Sequence, residues 1–332
     1  SRRRHTRFRN VTGVQTCALP IFAPFDDIFT VVTGLPETGV ALTLSDVDKI
    51  SFTGSTRTAK KVAASAAEKM IPVVLECGGK DPVLVDRDAD IQKAAEITLW
   101  HAMSNAGQSC IGAERVYVHE RVASEFESAI VRMAAQLKAG FGDGSHYGPA
   151  TMPSQLKVIQ SHIDDAIKRG GTCIFGGKKA IHDGYVEPVI FKNVPEDSLA
   201  VTEETFGPTL VINTVRNMDE AVDRANATSY GLGAAVWSRK NGKKIASLLR
   251  CGMVSINAAF SFAAVGSVPF GGVKDSGYGR IHGAEGLLEF TFPRTVVKTR
   301  YRIPLEFTSF KRSKRADKIL VALTKIRHQK LR

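Results

Sequence analysis

An α/β fold with a largely parallel sheet is the architecture this sequence predicts, on three observations. Short β-branched runs alternate with segments whose apolar residues recur at helical spacing, the pattern of strands joined by crossover helices. One predicted strand ends in Gly54-Ser55-Thr56, a glycine-containing turn that opens a helix. Hydrophobic residues make up 43% of the 332 residues, enough for a core that needs neither disulfides nor a metal to hold it. The length suits two or so domains.

In chain order, the first 21 residues have no usable periodicity and are set aside as a non-native or disordered segment. From Phe22 the alternation begins. Residues 47–53 end in a short apolar strand, and Gly54-Ser55-Thr56 then opens an Ala/Lys-rich helix to about Lys69. Residues 72–75 and 83–85 are β-branched runs. Between Ile91 and Asn105 the apolar side chains fall at Ile91, Ala94, Ala95, Ile97, Thr98 and Met103, which predicts a buried helix. Further helices are expected at about 120–139, 153–169, 218–227 and 240–250, and strands at 114–118, 209–215, 232–237 and 252–256. No internal repeat is visible.

The net charge of +12 resides at the ends of the chain. Residues 1–9 carry five arginines and no acid, and residues 300–332 carry eleven Lys/Arg against Glu306 and Asp317. The long stretch between has a slight excess of acid, an ordinary enzyme surface, so a nucleic-acid recognition face is not expected. Five cysteines, Cys17, Cys77, Cys110, Cys173 and Cys251, are scattered without a C-x-x-C pair. That is neither a disulfide framework nor a zinc site, and no metal is expected. Free thiols point to a reducing cytoplasm. There is no apolar run long enough to cross a bilayer and no signal-peptide apolar core.

Four short segments carry chemistry. Phe52-Thr53-Gly54-Ser55-Thr56, at a strand end opening a helix, suits a phosphate, because free N–H groups and the helix dipole point at it; a plain helix cap is the simpler alternative. In Leu75-Glu76-Cys77-Gly78-Gly79-Lys80 a carboxylate closes an apolar strand before two glycines, so that backbone can approach and Glu76 has room to swing. A half-buried carboxylate has a raised pKa and suits a general base; alternatively Glu76 pairs with Lys80. Asn105-Ala106-Gly107-Gln108-Ser109-Cys110 sets a cysteine in a polar, Gly-containing turn after a helix, which predicts an exposed thiol able to attack a carbonyl as thiolate, against the alternative of an inert core cysteine. Glu203-Glu204-Thr205-Phe206-Gly207-Pro208 offers carboxylates for a ribose and an aromatic beside a planar ring, or is only a turn. The glycine density of residues 269–280 implies close backbone approach, although a lone glycine-rich loop is commonly just a loop.

Taken in order, these four, with Ser-Ile-Asn (255–257) and Pro-Phe-Gly-Gly-x-Lys-x-Ser-Gly-x-Gly-Arg (269–280), resemble the aldehyde dehydrogenase superfamily in identity, order and spacing over roughly residues 22–299. The resemblance implies an NAD(P)-dependent oxidation of an aldehyde to a carboxylic acid through a cysteine thiohemiacetal and thioester. It makes Cys110 the nucleophile and Glu76 the base for the deacylating water. It places Gly54 and Ser55 on the cofactor pyrophosphate, Cys77 in the cofactor site, Glu204 on the nicotinamide ribose and Phe206 beside the nicotinamide. It puts Asn257 and Phe270 near the substrate pocket. NAD is favoured over NADP, and Glu76 favours hydrolysis over transfer to coenzyme A. Phe260 and Phe262, in the pocket segment 258–268, point to an apolar aldehyde.

The implied architecture is the C-terminal part of that fold. Residues 22–76 are a remnant of a Rossmann-like cofactor domain, 77–274 the α/β catalytic domain, and 275–290 a return to the cofactor domain. Residues 291–299 form an oligomerisation strand for a homodimer or homotetramer, and 300–332 a basic amphipathic tail. The family's first cofactor-binding strands, an oxyanion-hole Asn and the residues for the adenosine ribose have no counterpart in this chain. Ala59 and Met103 are mild departures from the family pattern. A catalytically silent relative is the alternative; loss of Cys110 or Glu76 would mark it, and both are present. In the tail, Ile319, Leu323 and Ile326 fall at helical spacing among Arg315, Lys318, Lys325 and Arg327. That pattern fits either packing on a neighbouring subunit or peripheral contact with anionic lipid.

Overall fold

The computed structural model describes residues 30–259, 261–301, 310 and 313–329. The segment 1–21 with Cys17, residues 22–29, Phe260, and residues 302–309, 311–312 and 330–332 of the tail lie outside the described residues. The chain divides into two compact units, Ser1–Thr291 and Phe292–Arg332.

In the first unit, α1 (Pro36–Leu44) precedes β1 (Ile50–Gly54), α2 (Thr56–Glu68) and β2 (Val73–Cys77). A glycine break leads into β3 (Asp81–Val85), α3 (Ile91–Met103), β4 (Ala113–His119) and α4 (Glu120–Ala134). Next come α5 (Pro153–Lys168), β5 (Thr172–Phe175), the small ladder of β6 (Ile181–His182) with β7 (Tyr185–Val186), and β8 (Val189–Lys192). The unit continues with α6 (Leu199–Thr202), β9 (Thr209–Val215), α7 (Met218–Asn226), β10 (Gly233–Trp237), α8 (Gly242–Leu248) and β11 (Met253–Ile256). It closes with α9 (Ser261–Ala264), β12 (Gly277–Tyr278) and α10 (Gly283–Leu288). The expected α/β class is what is found.

Two sheets organise this unit. Seven strands run in the order β11-β10-β3-β4-β9-β8-β5, all neighbours parallel except β5, which is antiparallel to β8. Its central strands β3, β4 and β10 are buried along their whole length, as a sheet covered by helices on both faces requires. Side chains alternate between the faces. Val83, Val85, Val116 and Val118 pack with α3 and α4 (Leu99, Phe126, Ile130), whereas Leu84, Tyr117 and Val236 pack with Val222 and Ile245 of α7 and α8. The second sheet has the order β1-β2-β12, with β1 parallel and β12 antiparallel to β2.

The chain crosses from one sheet to the other at Gly78-Gly79, so the carboxyl end of β2 lies beside the amino end of β3. The pairing of Asp81 with Ala113 then brings the start of β4 alongside. Helix caps explain the crisp starts: Asp90 accepts from the Lys93 N–H at 3.3 Å at the start of α3, and Asn217 from Glu220 N–H at 2.9 Å at the start of α7. Helix α4 ends at Ala134, short of the expected residue 139, and beyond it the Lys138 N–H donates to His146 Nδ1 at 3.1 Å.

In the second unit, residues 292–300 carry no regular secondary structure and are exposed. The strand expected at 291–299 is thus not formed within this chain, since a strand needs a neighbouring edge for its backbone groups. Helix α11 (Lys314–Gln329) is where the tail spacing predicts one. No described helix is long and apolar enough to cross a membrane.

Candidate active site

The second residue from the end of β2 is Glu76, paired in register with Thr53 on one side and Gly277 on the other. It is 4% exposed, and neither carboxyl oxygen has a hydrogen-bond partner among the described residues. Burial raises its pKa to about 7, partly opposed by the Arg280 guanidinium. The glycine turn of 269–280 wraps this carboxylate. A Cβ on Gly271 would lie 2.8 Å from Glu76 Oε1, and Arg280 pins the turn by donating to the Gly272 carbonyl at 2.9 Å and the Gly279 carbonyl at 2.6 Å. The alternative pairing of Glu76 with Lys80 is not formed; Lys80 pairs with Glu114.

Cys110 is reached by an unusual route. After α3 the chain takes three residues in the left-handed region, Asn105 (φ 54), Ala106 (φ 57) and Gly107 (φ 68). Only glycine fits at the third, where a Cβ would overlap the Gly207 carbonyl. Gln108 stabilises the turn, its side chain donating to the Asn105 carbonyl at 3.0 Å and accepting from the Thr151 N–H at 2.7 Å. Cys110 emerges half-buried against Ile111, Leu232, Met253, Phe262 and Phe270. The exposed thiol expected from its polar neighbours is therefore corrected: Gln108 and Asn105 spend their polarity within the turn and the sulfur faces apolar side chains. Burial, followed by the negative fields of Asp81 and Glu204, pushes the thiol up to about 11, while the N–H groups of Cys110 and Ile111 act the other way.

The glycine ledge joins these elements. A Cβ on Gly79 would stand 3.0 Å from the Cys110 carbonyl oxygen and 2.5 Å from Asp81 Oδ1. Gly78 is overlain by the Glu204 carboxylate, whose Oε1 accepts from the Gly79 N–H at 3.3 Å. Burial raises Glu204 to about 8, with Glu114 adding to the rise. Phe206, two residues on, is half-buried with φ 50. The parallel pairing of β1 with β2 sets Gly54 opposite Cys77, and Ser55 caps α2 with its hydroxyl toward the Thr58 N–H at 3.4 Å.

The fold thus brings Gly54, Ser55, Glu76, Cys110, Glu204, Phe206 and Phe270 to one region. It does not bring Asn257 or the Cys77 side chain. Asn257 lies past the far end of β11, and its amide is used up by the backbone of Ser238, accepting from its N–H and donating to its carbonyl, each at 3.0 Å. Cys77 turns into the apolar cluster of Ala59 and Leu75, because its β-strand alternation sends it opposite to Glu76. Asp81, Glu114 and Arg115 beside this region, and Asp86 just past β3, are buried charges that the sequence did not single out. The available signal was two adjacent charges, Glu114-Arg115, at the head of an otherwise apolar central strand.

Comparison with known proteins follows the same residues. The aldehyde dehydrogenase family pattern matches residues 23–296. A 4,4'-diapolycopene aldehyde oxidase of Methylomonas sp is 36% identical over 284 residues, covering 85% of this chain and 53% of that protein, so the chain spans about half the length of this curated relative. The NAD+ complex of an aldehyde dehydrogenase from Bacillus cereus superposes with a TM-score of 0.74 at 37% identity, over 77% of this chain and 53% of that one. An E. coli NADP dependent enzyme gives 0.77 at 32% identity, over 83% and 59%. The matched span runs from before β1 to beyond α10 and contains the buried carboxylate, the turn cysteine and the glycine ledge that the geometry sets together. The chain belongs to the aldehyde dehydrogenase family.

Proposed function

We propose that this chain is the C-terminal part of an NAD(P)-dependent aldehyde dehydrogenase that oxidises an aldehyde to its acid through a thioester on Cys110. The observation that carries this reading is Glu76. A buried carboxylate with both oxygens unpartnered among the described residues and a pKa raised to about 7 is an expensive feature unless a water or substrate atom uses it. It abuts the turn that also presses Phe270 against Cys110.

The Cys110 thiolate attacks the aldehyde carbon, and the N–H groups of Cys110 and Ile111, close enough to the sulfur to lower its pKa, receive the developing oxyanion. A bound oxidised nicotinamide would supply the acceptor for the hydride that leaves as the carbonyl re-forms. Glu76 then removes a proton from the water that attacks the thioester, and the sulfur leaves with the acyl carbon–sulfur bond broken. The residues suit the nicotinamide end of such a cofactor: Glu204, lying over Gly78, offers a carboxylate for a hydroxyl. NAD is favoured as the family-level default, although the relatives include both an NAD+ complex and an NADP dependent enzyme. Phe262 and Phe270, ring centroids 6.3 Å apart, favour an aldehyde with an apolar body. Glu76 keeps hydrolysis ahead of transfer to coenzyme A.

In domain terms, the three-stranded sheet is the remnant of the cofactor domain and the seven-stranded sheet the catalytic domain. A Rossmann-type crevice needs more strands than β1, β2 and β12, and the outer strand β1 leaves alternate residues exposed. The 332-residue chain alone is therefore expected to show no aldehyde-dependent reduction of NAD+ or NADP+ above a Cys110→Ser control. Measurable turnover above that control would contradict the assignment of the remnant. Residues 291–299 would pair with another copy in a cytoplasmic homodimer or homotetramer.

The tail adds a second property to this enzyme, peripheral contact with anionic membranes. On α11, Ala316, Ile319, Leu320, Leu323 and Ile326 share one side by their spacing, and Leu320, Leu323 and Ile326 are exposed. Arg315, Lys318, Lys325 and Arg327 accompany them. Such a helix lies in a lipid interface with about 1 kcal/mol from each basic residue near an anionic surface. In sedimentation with phosphatidylserine vesicles, the full-length enzyme is expected to pellet at low salt and to be released at high salt, and a version ending at Thr299 to stay in the supernatant. Equal recovery of both in the supernatant at low salt would leave only packing against protein.

A further inference from the structure

Beneath the 203–208 loop lies a set of buried polar side chains that the chemistry above does not use. Lys80, Glu114, Thr205 and His162 are 1%, 5%, 0% and 6% exposed. Lys80 Nζ forms a close ion pair with Glu114 Oε2 and donates to Thr205 Oγ1 at 3.1 Å. His162 Nδ1 is 2.9 Å from the same hydroxyl, and the Thr205 carbonyl accepts from Gln155 Nε2 at 2.6 Å. Two consecutive backbone N–H groups complete the set: Thr205 N–H donates to Glu114 Oε2 at 2.8 Å and Phe206 N–H to Oε1 at 3.0 Å.

A buried ion pair contributes little to stability by itself, because desolvation offsets attraction. Its value here lies in what the anion grips. Consecutive N–H groups converging on one carboxylate form an anion nest, and this nest fixes Phe206 at φ 50, a left-handed conformation that a bulky residue adopts only when its surroundings impose it. With every polar group of Thr205 held from below, the flanking side chains have fixed directions. Glu204 is delivered to the Gly79 N–H, and Phe206 follows two residues on with its own N–H held by the Glu114 carboxylate. Burial pulls the Lys80 pKa down while the paired Glu114 carboxylate holds it up.

We infer that Glu114, balanced by Lys80, is a positioning residue for the nicotinamide end of the cofactor, acting through the backbone of Thr205 and Phe206. It touches neither cofactor nor substrate. The inference rests on the reading of Glu204 and Phe206 as cofactor contacts.

The test uses the full-length enzyme and its binding of NAD+ or NADP+, whichever the unsubstituted enzyme holds more tightly. The double variant Lys80→Met/Glu114→Gln removes both charges together and so avoids stranding one. Its cofactor Kd and KM are expected to rise about tenfold, with kcat at saturating cofactor and cofactor-free alkylation of Cys110 by iodoacetamide within about twofold. A purely structural role would instead lower the active fraction and leave Kd where it was. Glu114→Asp keeps the charge but is too short to reach both N–H groups, and is expected to raise Kd about threefold. It serves where the double variant does not fold. Cofactor Kd within error of the unsubstituted enzyme in either folded variant overturns the inference. Glu204→Gln and Phe206→Ala separate the two levels: if they weaken binding while the Glu114 variants do not, positioning alone fails. If they too leave Kd unchanged, the cofactor reading of the loop fails with it.

Discussion

Cys110→Ser in the full-length enzyme is expected to lower aldehyde oxidation by about 10³-fold or more, the scale on which enzymes lose rate when a covalent nucleophile is removed. Cys173→Ser and Cys251→Ser are expected to be nearly silent. The contrast follows from position rather than from exposure, since all three thiols are partly buried and all three are raised by burial. The Cys173 and Cys251 sulfurs donate to the carbonyls of Phe175 and Met253 at 3.1 and 3.3 Å, an inert arrangement. Cys110 has instead two backbone N–H groups directed at it and an aromatic wall beside it. With burial pushing its thiol up to about 11, its alkylation by iodoacetamide should be slow at pH 7 and should accelerate with rising pH, because the thiolate is the reacting form. Loss of activity in step with alkylation of a different cysteine would remove Cys110 from the centre of the mechanism.

How much of this was legible in the sequence depends on where the determining interaction lies. The strands at 209–215, 233–237 and 253–256 and the helices α5 and α7 fall within a residue or two of where periodicity places them, because burial on one face writes itself into spacing. The short strands β5 and β8 and the helix α6 do not, being too brief for a period to register. The setting of Cys110 was half legible. A glycine turn was evident, but that Asn105 and Ala106 join Gly107 in the left-handed region depends on Gly207 and Thr151, distant in sequence. Asn257 and Cys77 show the converse. Each sits in a stretch that matches the family, yet the side chain is committed elsewhere, to Ser238 and to the Ala59–Leu75 cluster. The Lys80–Glu114 pair spans two strands and a loop, and only the fold brings those three together.

Glu76→Gln is the second large effect. In the proposed mechanism acylation of Cys110 and hydride transfer precede the step that needs the base, so the variant should retain a burst of reduced cofactor while its steady-state rate falls about 10²-fold or more. In the unsubstituted enzyme the steady-state rate should have an acid limb. Burial places the Glu76 pKa near 7, the base works as carboxylate, and the rate therefore falls as pH drops through about 7. The glutamine variant should lose that limb. The same shift has a stability counterpart with its own sign: a carboxyl whose folded pKa is raised contributes stability below its unfolded pKa of 4.5 and loses it as pH rises through about 7. The uncharged glutamine should accordingly be the more stable form at pH 8.

The central claim is that Cys110 carries the acyl group and Glu76 releases it. Mixing Glu76→Gln full-length enzyme with NAD+ or NADP+ and an apolar aldehyde, then quenching in acid and measuring intact and peptide masses, tests both halves at once. One acyl adduct per subunit is expected on the peptide containing Cys110, formed at the rate of the cofactor burst and absent from Cys110→Ser. No burst and no adduct in the Glu76→Gln enzyme, with Cys110 still present and the protein folded, would contradict that claim by showing that Glu76 acts before the acyl group is formed.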